Sequence, residues 1–150
     1  MDISEQHRAR ERIAQGERNY WEMRRECYVA LNRAARQYLS ALTDMVHSML
    51  RDADSAEVSE VLDAARAAHR DRYAEAQMVV PDAVLEIAGT VNRKLNQTYG
   101  LIKRLDNDDP SQGESIQVAH AQLNDHWDRL RLMRQQMRID LGVSREVSSD

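Results

Sequence analysis

The feature that most restricts the fold is a long apolar stripe between Tyr20 and Leu50. Neither proline nor glycine interrupts it, and its apolar residues recur at alternating spacings of three and four, the pattern of one helical face. They are Tyr20, Trp21, Tyr28, Leu31, Ala35, Tyr38, Leu42, Met45 and Met49. Because an isolated helix gains little stability in water, other helices must cover this stripe, either from the same chain or from a second copy.

Upstream of the stripe, the segment from Ile3 to Gly16 also has a helical sequence, but few apolar residues stand among its arginines and glutamates. If it continues the first helix, that helix has about 48 residues and a length of about 70 Å at 1.5 Å per residue. The later helices cannot cover such a length. We therefore expect residues 1–18 to form a helical extension or a mobile arm, residues 19–142 a helical bundle, and residues 143–150 a disordered tail.

The composition favours an all-α fold. Two prolines and five glycines among 150 residues provide few turns for a β-fold. Phenylalanine is absent and aromatic residues make up 5%, so the core must consist mainly of alanine, leucine, valine, methionine and isoleucine. The net charge is −4, and the two signs are mixed along the chain, which is typical of helices with solvated outer faces. This balance disfavours a DNA-binding protein.

Two further helices are predicted between residues 52 and 105. The second helix follows a polar turn at 52–55, where Asp54 and Glu57 have the spacing of a capping box. At Pro81 the second helix is predicted to end or kink and the third to begin with this proline in its first turn, because proline lacks an N–H group and disfavours helical geometry in the residue before it.

A fourth helix follows the acidic loop at 106–110. Ser111 and Glu114 are predicted to form its capping box, and Gly142 its C-terminal stop. Short connections favour antiparallel neighbours, so the simplest fold is an up-down four-helix bundle with an extra-long first helix. The competing arrangement pairs three helices through the first helix into a dimer.

The sequence shows no catalytic or metal-binding motif. None of the five histidines follows a glutamate by three residues, as the metal-binding helical bundles require. His120 and His126 lie on different helical faces, so we expect the histidines at the surface or the edge of the bundle. Cys27 is the only cysteine, which excludes an intramolecular disulfide. The loop from Asp106 departs from the calcium-loop pattern at its glycine and glutamate positions. We expect no cofactor and no enzymatic activity.

The chain also lacks the features of membrane insertion. Its first 15 residues have no apolar core, so we do not expect a signal peptide. No apolar run approaches the roughly 18 residues of a spanning helix. We expect a cytoplasmic protein.

The strongest indication of function is the N-terminal half of the first helix. Trp21 lies where only the end of the fourth helix would reach it, which predicts contacts outside the bundle. We predict self-association, with a dimer favoured, or binding of a protein partner. The predicted interaction surface consists of Ile13, Tyr20, Trp21, Tyr28 and Trp127.

An alternative function depends on the arginines of the fourth helix. Arg131, Arg134 and Arg138 follow helical spacing and would form a basic stripe in a nucleic-acid-associated accessory or regulatory protein. Cations near a helix C-terminus are also favoured by the helix dipole, and Asp128 and Asp140 flank the stripe. In this second interpretation, the arginines stabilise the end of the helix and do not bind nucleic acid.

A third hypothesis places a small-ligand site near Pro81, lined by Tyr73, Tyr99 and Gly89. Gly89 also fits a close contact between two helices, so this hypothesis has the least support.

The chain resembles a group of small helical proteins from actinobacteria that have no assigned function. The resemblance rests on WEMRRECYVALNRAARQYLSAL and AQMVVPDAVLEIAGTVNRKL and covers roughly residues 20–105. It implies a helical bundle and transfers no functional residue.

Overall fold

A computed structural model of the chain describes residues 2–145 and shows an all-α four-helix bundle with a long first helix. The helices are α1 (Ile3–Leu50), α2 (Ala56–Val79), α3 (Asp82–Asp106) and α4 (Ile116–Asp140). The predicted fold class is therefore confirmed. Of the tail predicted to be disordered, residues 146–150 lie outside the described residues. Within the described residues, no helix is long and apolar enough to cross a membrane.

Contacts between specific side chains show that neighbouring helices run antiparallel. Along α1, Tyr20 meets the last turn of α2, whereas Asp44 lines a groove with Glu57 near its start. Arg24 meets the end of α4, whereas the ring of His47 lies 6.2 Å from that of His120 near its start. The α3 helix is antiparallel to both α2 and α4. The up-down topology follows from these contacts.

The core lies along the stripe predicted for α1. Leu31, Leu42 and Met45 are fully buried and meet apolar side chains from the other three helices. The remaining large, fully buried apolar side chains are Tyr38, Leu39, Val46, Leu62, Val84, Leu95, Ile102 and Met133. The three shorter helices each contribute only some of these residues. Their buried side chains form one cluster with those of α1. The bundle is organised around one helix.

Three helices end in the same backbone motif, in which a left-handed residue turns the chain out of the helix. Gly142 has a φ of +77° after α4, and Val143 donates to the carbonyl of Arg138, as in a Schellman motif. The prediction of Gly142 as the C-terminal stop is confirmed. After α1 and α3 the same position is occupied by Asp52 and Asp108, at φ values of 52° and 56°. Sequence reasoning looks for glycine there and misses both.

The two predicted capping boxes are wrong in detail. Ser55 is the N-cap of α2, and the Asp54 carboxylate accepts from the N–H of Ala56, so it forms a turn before the helix. The α4 helix begins at Ile116, after Gly113 has taken a left-handed conformation.

Glu114 does reach back to the N–H of Ser111, at 2.7 Å, but this bond closes a turn in the loop. The N-cap of α4 is Ser115, whose hydroxyl accepts from the N–H of Val118. Glu114 also pairs with Arg104 of α3, and this hydrogen bond lowers the pKa of the carboxyl to about 2. Ser111 and Glu114 therefore order the α3–α4 loop.

The first helix is far longer than the others. It has 48 residues, whereas α2, α3 and α4 have 24, 25 and 25. At 1.5 Å per residue, α1 is about 72 Å long and the others are about 37 Å long. The excess is at the N-terminal end, where the helix is continuous from Ile3. Residues 3–19 are named the overhang below.

Candidate interaction surface

The overhang is a single helix, and none of the other helices among residues 2–145 lies beside it. Its side chains are exposed, apart from the half-exposed Ala9 and Ala14. Its side-chain hydrogen bonds are local ones, as between Gln15 and Asn19 at 2.8 Å. Asp2 caps its first turn by accepting from the N–H of Glu5. In the part of the chain that the structure describes, the overhang is therefore supported by its cap, its local pairs and its continuity with the bundle, and by no tertiary contact.

The bundle begins at Tyr20 and Trp21, which hold the ends of two other helices. The Tyr20 hydroxyl donates to the carbonyl of Val79, the last residue of α2, at 2.9 Å. The Trp21 indole N–H donates to the carbonyl of Leu141, just after α4, at 3.2 Å. Carbonyls at a helix C-terminus have no partner within the helix, so a donor from another helix stabilises that end. Adjacent residues of α1 thus fix where α2 and α4 stop.

One turn further along α1, a partly buried ion pair completes this attachment. Arg24 Nη1 and the Tyr28 hydroxyl both donate to Oδ2 of Asp140, at 2.8 and 2.6 Å. The Arg24 guanidinium also lies over the ring of Tyr20, at 4.7 Å from its centroid. Burial, reinforced by the hydrogen bond to Asp140, raises the pKa of Tyr28. The four α1 residues Tyr20, Trp21, Arg24 and Tyr28 are named the clamp below.

The clamp changes the interpretation of two predicted surface residues. Tyr28 is buried, with 2% of its surface exposed, and belongs to the core. Trp21 is half-buried against the end of α4, so its position is explained within the chain and does not itself indicate an external partner. Ile13 and Tyr20 are different, with 63% and 43% of their surfaces exposed. Of the residues predicted on α1, these two remain available for an interaction.

The remaining predicted residues lie at a groove between α1 and α4. Trp127 is half-buried there, beside two of the predicted arginines. The groove is lined by Asn32, Arg36, Trp127, Leu130, Arg131 and Arg134. Arg131 pairs with Asp128 at 3.1 Å, whereas Arg36 and Arg134 form no ion pair among residues 2–145. Arg138 is exposed nearer the end of α4, and the groove is formed without it.

Sequence reasoning missed a buried polar cluster between α3 and α4. Thr98 donates to Oε1 of Gln122 at 2.6 Å, and Nε2 of His126 lies 2.6 Å from the same hydroxyl. Because the one hydroxyl hydrogen goes to Gln122, His126 must donate from Nε2, which leaves Nδ1 as a buried acceptor without a partner among the described residues. Burial lowers the pKa of His126 to about 4. The expectation that His126 lies at the surface or edge is wrong.

The proposed ligand site near Pro81 is filled by protein atoms. A methyl group added at Gly89 would lie 3.1 Å from the Tyr73 hydroxyl, so the glycine makes room for this tyrosine. The Tyr73 ring in turn stacks on that of His69, at 6.4 Å, and His69 is also buried, contrary to expectation. Tyr99 donates to Asp63 of α2, at 2.7 Å. These residues join α2 to α3 and do not line a ligand cavity together.

Comparison with protein-family models, with curated proteins and with solved structures gives no match. In the part of the chain that the structure describes, no group of three or more histidine, cysteine, aspartate or glutamate side chains is placed to hold a metal ion. The surfaces described above are therefore interpreted from their own geometry.

The clamp predicts unequal effects for two aspartate substitutions on α4. Asp140→Ala removes the acceptor of both Arg24 and Tyr28, and should lower the free energy of unfolding by about 2–4 kcal/mol because a partly buried charge loses its partner. Asp128→Ala removes an exposed pair with Arg131 and should change the free energy of unfolding by less than about 0.5 kcal/mol. Urea denaturation of both variants measures the difference. Equal losses would show that the clamp does not stabilise the bundle.

Proposed function

We propose that this protein is a helical-bundle interaction protein, not an enzyme, and that it self-associates through the N-terminal half of α1. The observation that carries the proposal is the overhang. It continues a stable helix for 17 residues (3–19) beyond the clamp and presents the apolar side chains of Ile3 and Ile13 to solvent. The same surface would serve a different protein partner, but a second copy of the chain is the partner we favour.

The energetics of a solitary helix support a partner. A helix of this length is marginal in water even when its sequence favours helix formation. Gly16 lies inside the helix, in the last turn of the overhang, and glycine in a helix interior is destabilising by about 1 kcal/mol relative to alanine. Nothing lies within 4 Å of the position where a Cβ would be, so the bundle gives no packing reason for glycine. A helix that packs against the overhang would stabilise it and would give Gly16 a packing role.

Removing the overhang should abolish self-association while leaving the bundle folded. The full chain should be a concentration-dependent dimer by light scattering on a sizing column, and a chain lacking residues 1–18 should be a monomer. The truncated chain retains the clamp and the core, so its far-ultraviolet circular dichroism should show intact bundle helices. A full chain that stays monomeric up to its solubility limit would contradict the proposal.

The substitution Ile13→Gln tests the same self-association without a deletion, and Val61→Gln is its matched control. Val61 on α2 is equally exposed, at 60% against 63% for Ile13, but lies outside the overhang. Ile13→Gln should weaken the dimer and Val61→Gln should not. Equal weakening by both would mean that the dimer does not form through the overhang.

A second candidate function, a nucleic-acid-associated accessory protein, is favoured by one specific observation. Arg36 of α1 lines the same groove as Arg131 and Arg134 of α4, and the half-buried Trp127 lines it as well. Arginines beside an aromatic ring are suited to a single-stranded backbone with stacked bases. The net charge of −4 opposes this candidate, which is why it ranks second.

Fluorescence anisotropy with a labelled single-stranded oligonucleotide would test this second function. Binding should weaken as salt rises, and Arg134→Gln should reduce both the affinity and the salt dependence, because one phosphate contact is lost. Arg70→Gln, on the exposed surface of α2, is the control with the same change in charge. An absence of binding at low salt would eliminate this candidate.

A further inference from the structure

We infer that the groove between α1 and α4 binds a single nucleotide, with the base on Trp127 and the phosphates on the arginines beside it. These arginines are Arg36 of α1 and Arg131 and Arg134 of α4. The inference uses the groove of the second candidate function, but it requires neither a nucleic-acid strand nor self-association. It adds the class of ligand, an aromatic ring that carries a phosphate or diphosphate group.

Two rows of side chains line this groove, one from each helix. On α4, Trp127, Arg131 and Arg134 are separated by four and three residues, so they lie along one face of the helix. On α1, Asn32 and Arg36 are four residues apart and lie along one face as well. Both rows belong to the interior of long helices, so the backbone under the groove is regular.

The contacts that join α1 to α4 at the clamp and at His47 give the order of the residues along the groove. Arg36 lies about midway between these contacts on α1, and Leu130 lies midway between them on α4, so the two residues are level with each other. Asn32 is one turn nearer the clamp and is therefore level with Arg134. An amide and an arginine thus form one end of the groove.

The aromatic group lies at the other end of the groove from that amide. Along the axis of α4, Arg131 and Arg134 follow Trp127 by about 6 and 10.5 Å at 1.5 Å per residue. A nucleotide has the same polarity, with a planar base at one end and charged phosphates at the other. The indole ring would receive the base, and the arginines would receive the phosphates.

The Trp127 ring has no stacking partner among residues 2–145. Cationic groups lie over the rings of Tyr20 and Tyr99, but none lies over Trp127, and no other aromatic ring pairs with it. Trp127 is half-buried, so part of it packs on the core and part of it lines the groove. A nucleobase of any sequence can stack on such an aromatic side chain.

The arginines give the groove a positive charge that the described chain balances only in part. None of its lining residues is a carboxylate. Arg131 pairs with Asp128 at 3.1 Å, and both side chains of this pair are exposed. Arg36 and Arg134 form no ion pair among residues 2–145. Because guanidinium groups bind phosphate through paired N–H donors, a phosphate group would supply the missing negative charge.

The size of the groove favours one nucleotide over a strand. Its volume is about 210 Å³, which is below the roughly 300–1,000 Å³ of pockets that enclose a drug-sized ligand. A single nucleotide would therefore fill the groove and leave part of its surface in solvent. The net charge of −4 opposes the many phosphate contacts that a longer strand would make.

Isothermal titration calorimetry with adenosine diphosphate and with inorganic pyrophosphate tests both ends of the groove. The first ligand carries a base and two phosphates, whereas the second carries the phosphates alone. At low salt and without divalent cations, adenosine diphosphate should bind the full chain about tenfold more tightly than pyrophosphate, because its base stacks on Trp127.

Substitutions assign each part of the ligand to its residue. Trp127→Leu should remove the tenfold advantage of adenosine diphosphate and leave pyrophosphate binding unchanged, whereas Trp127→Phe should retain most of the advantage. Arg134→Gln should weaken binding of both ligands by about tenfold, because a charge-assisted hydrogen bond is lost. Arg138→Gln makes the same change in charge on the same helix, outside the groove, and is the matched control. Urea denaturation establishes that each variant is folded.

The outcomes separate this site from a general attraction to anions and from a strand-binding surface. Binding of adenosine diphosphate that depends on Trp127 and Arg134, and not on Arg138, supports the inference. Equal affinities for the two ligands overturn it, because the base then makes no contact. Equal weakening by Arg134→Gln and Arg138→Gln also overturns it. If an oligonucleotide binds and adenosine diphosphate does not, the second candidate function stands and the nucleotide site is overturned.

Discussion

The ends of α2 and α4 are held by side chains of a single stretch of α1, and the rest of the structure depends on this attachment. Tyr20 and Trp21 donate to carbonyls that the two helices leave without partners, and Arg24 and Tyr28 share the carboxylate of Asp140. These bonds fix where the shorter helices stop along α1. Within the described residues, the part of α1 that follows the clamp belongs to the bundle, and the part that precedes it is a helix without neighbours.

The packing of the bundle is dominated by the contacts of α1 with the other three helices. Most of the large buried side chains lie on α1 or directly against it, whereas α2 and α3 are joined chiefly by polar contacts. Lys103 reaches both Asp63 and Ser59 across that seam, and the hydrogen bond from Lys103 lowers the pKa of Asp63. Such contacts orient two helices but bury little apolar surface. Cohesion therefore comes from the α1 stripe, which is why its N-terminal continuation is the place to seek a partner.

Much of the fold can be predicted from periodicity, because helix faces are local properties of the sequence. The four helices, the turn at Pro81 and the stop at Gly142 follow from patterns within a few residues of each other. The caps of α2 and α4 were misplaced because several nearby side chains compete for the same N–H groups, and only the folded backbone selects among them.

The clamp and the buried histidines escaped prediction for a different reason. Trp21 and Leu141 are 120 residues apart in sequence, and Thr98 and His126 are 28 apart. No local pattern identifies such pairs. His126 occupies an ordinary helical position, and its burial depends on how α3 packs against α4. Exposure of Ile13, in contrast, was implicit in the length of the first helix, since no other helix is long enough to reach it.

The central claim is that α1 serves two purposes, a core for its own chain and a seam for a second copy. Hydrogen exchange of the backbone amides, followed at high and low protein concentration, tests it most directly. The account predicts that amides of residues 3–19 are protected at high concentration and exchange rapidly on dilution, while amides of the buried part of α1 stay protected throughout. Exchange in the overhang that does not depend on protein concentration would contradict the claim.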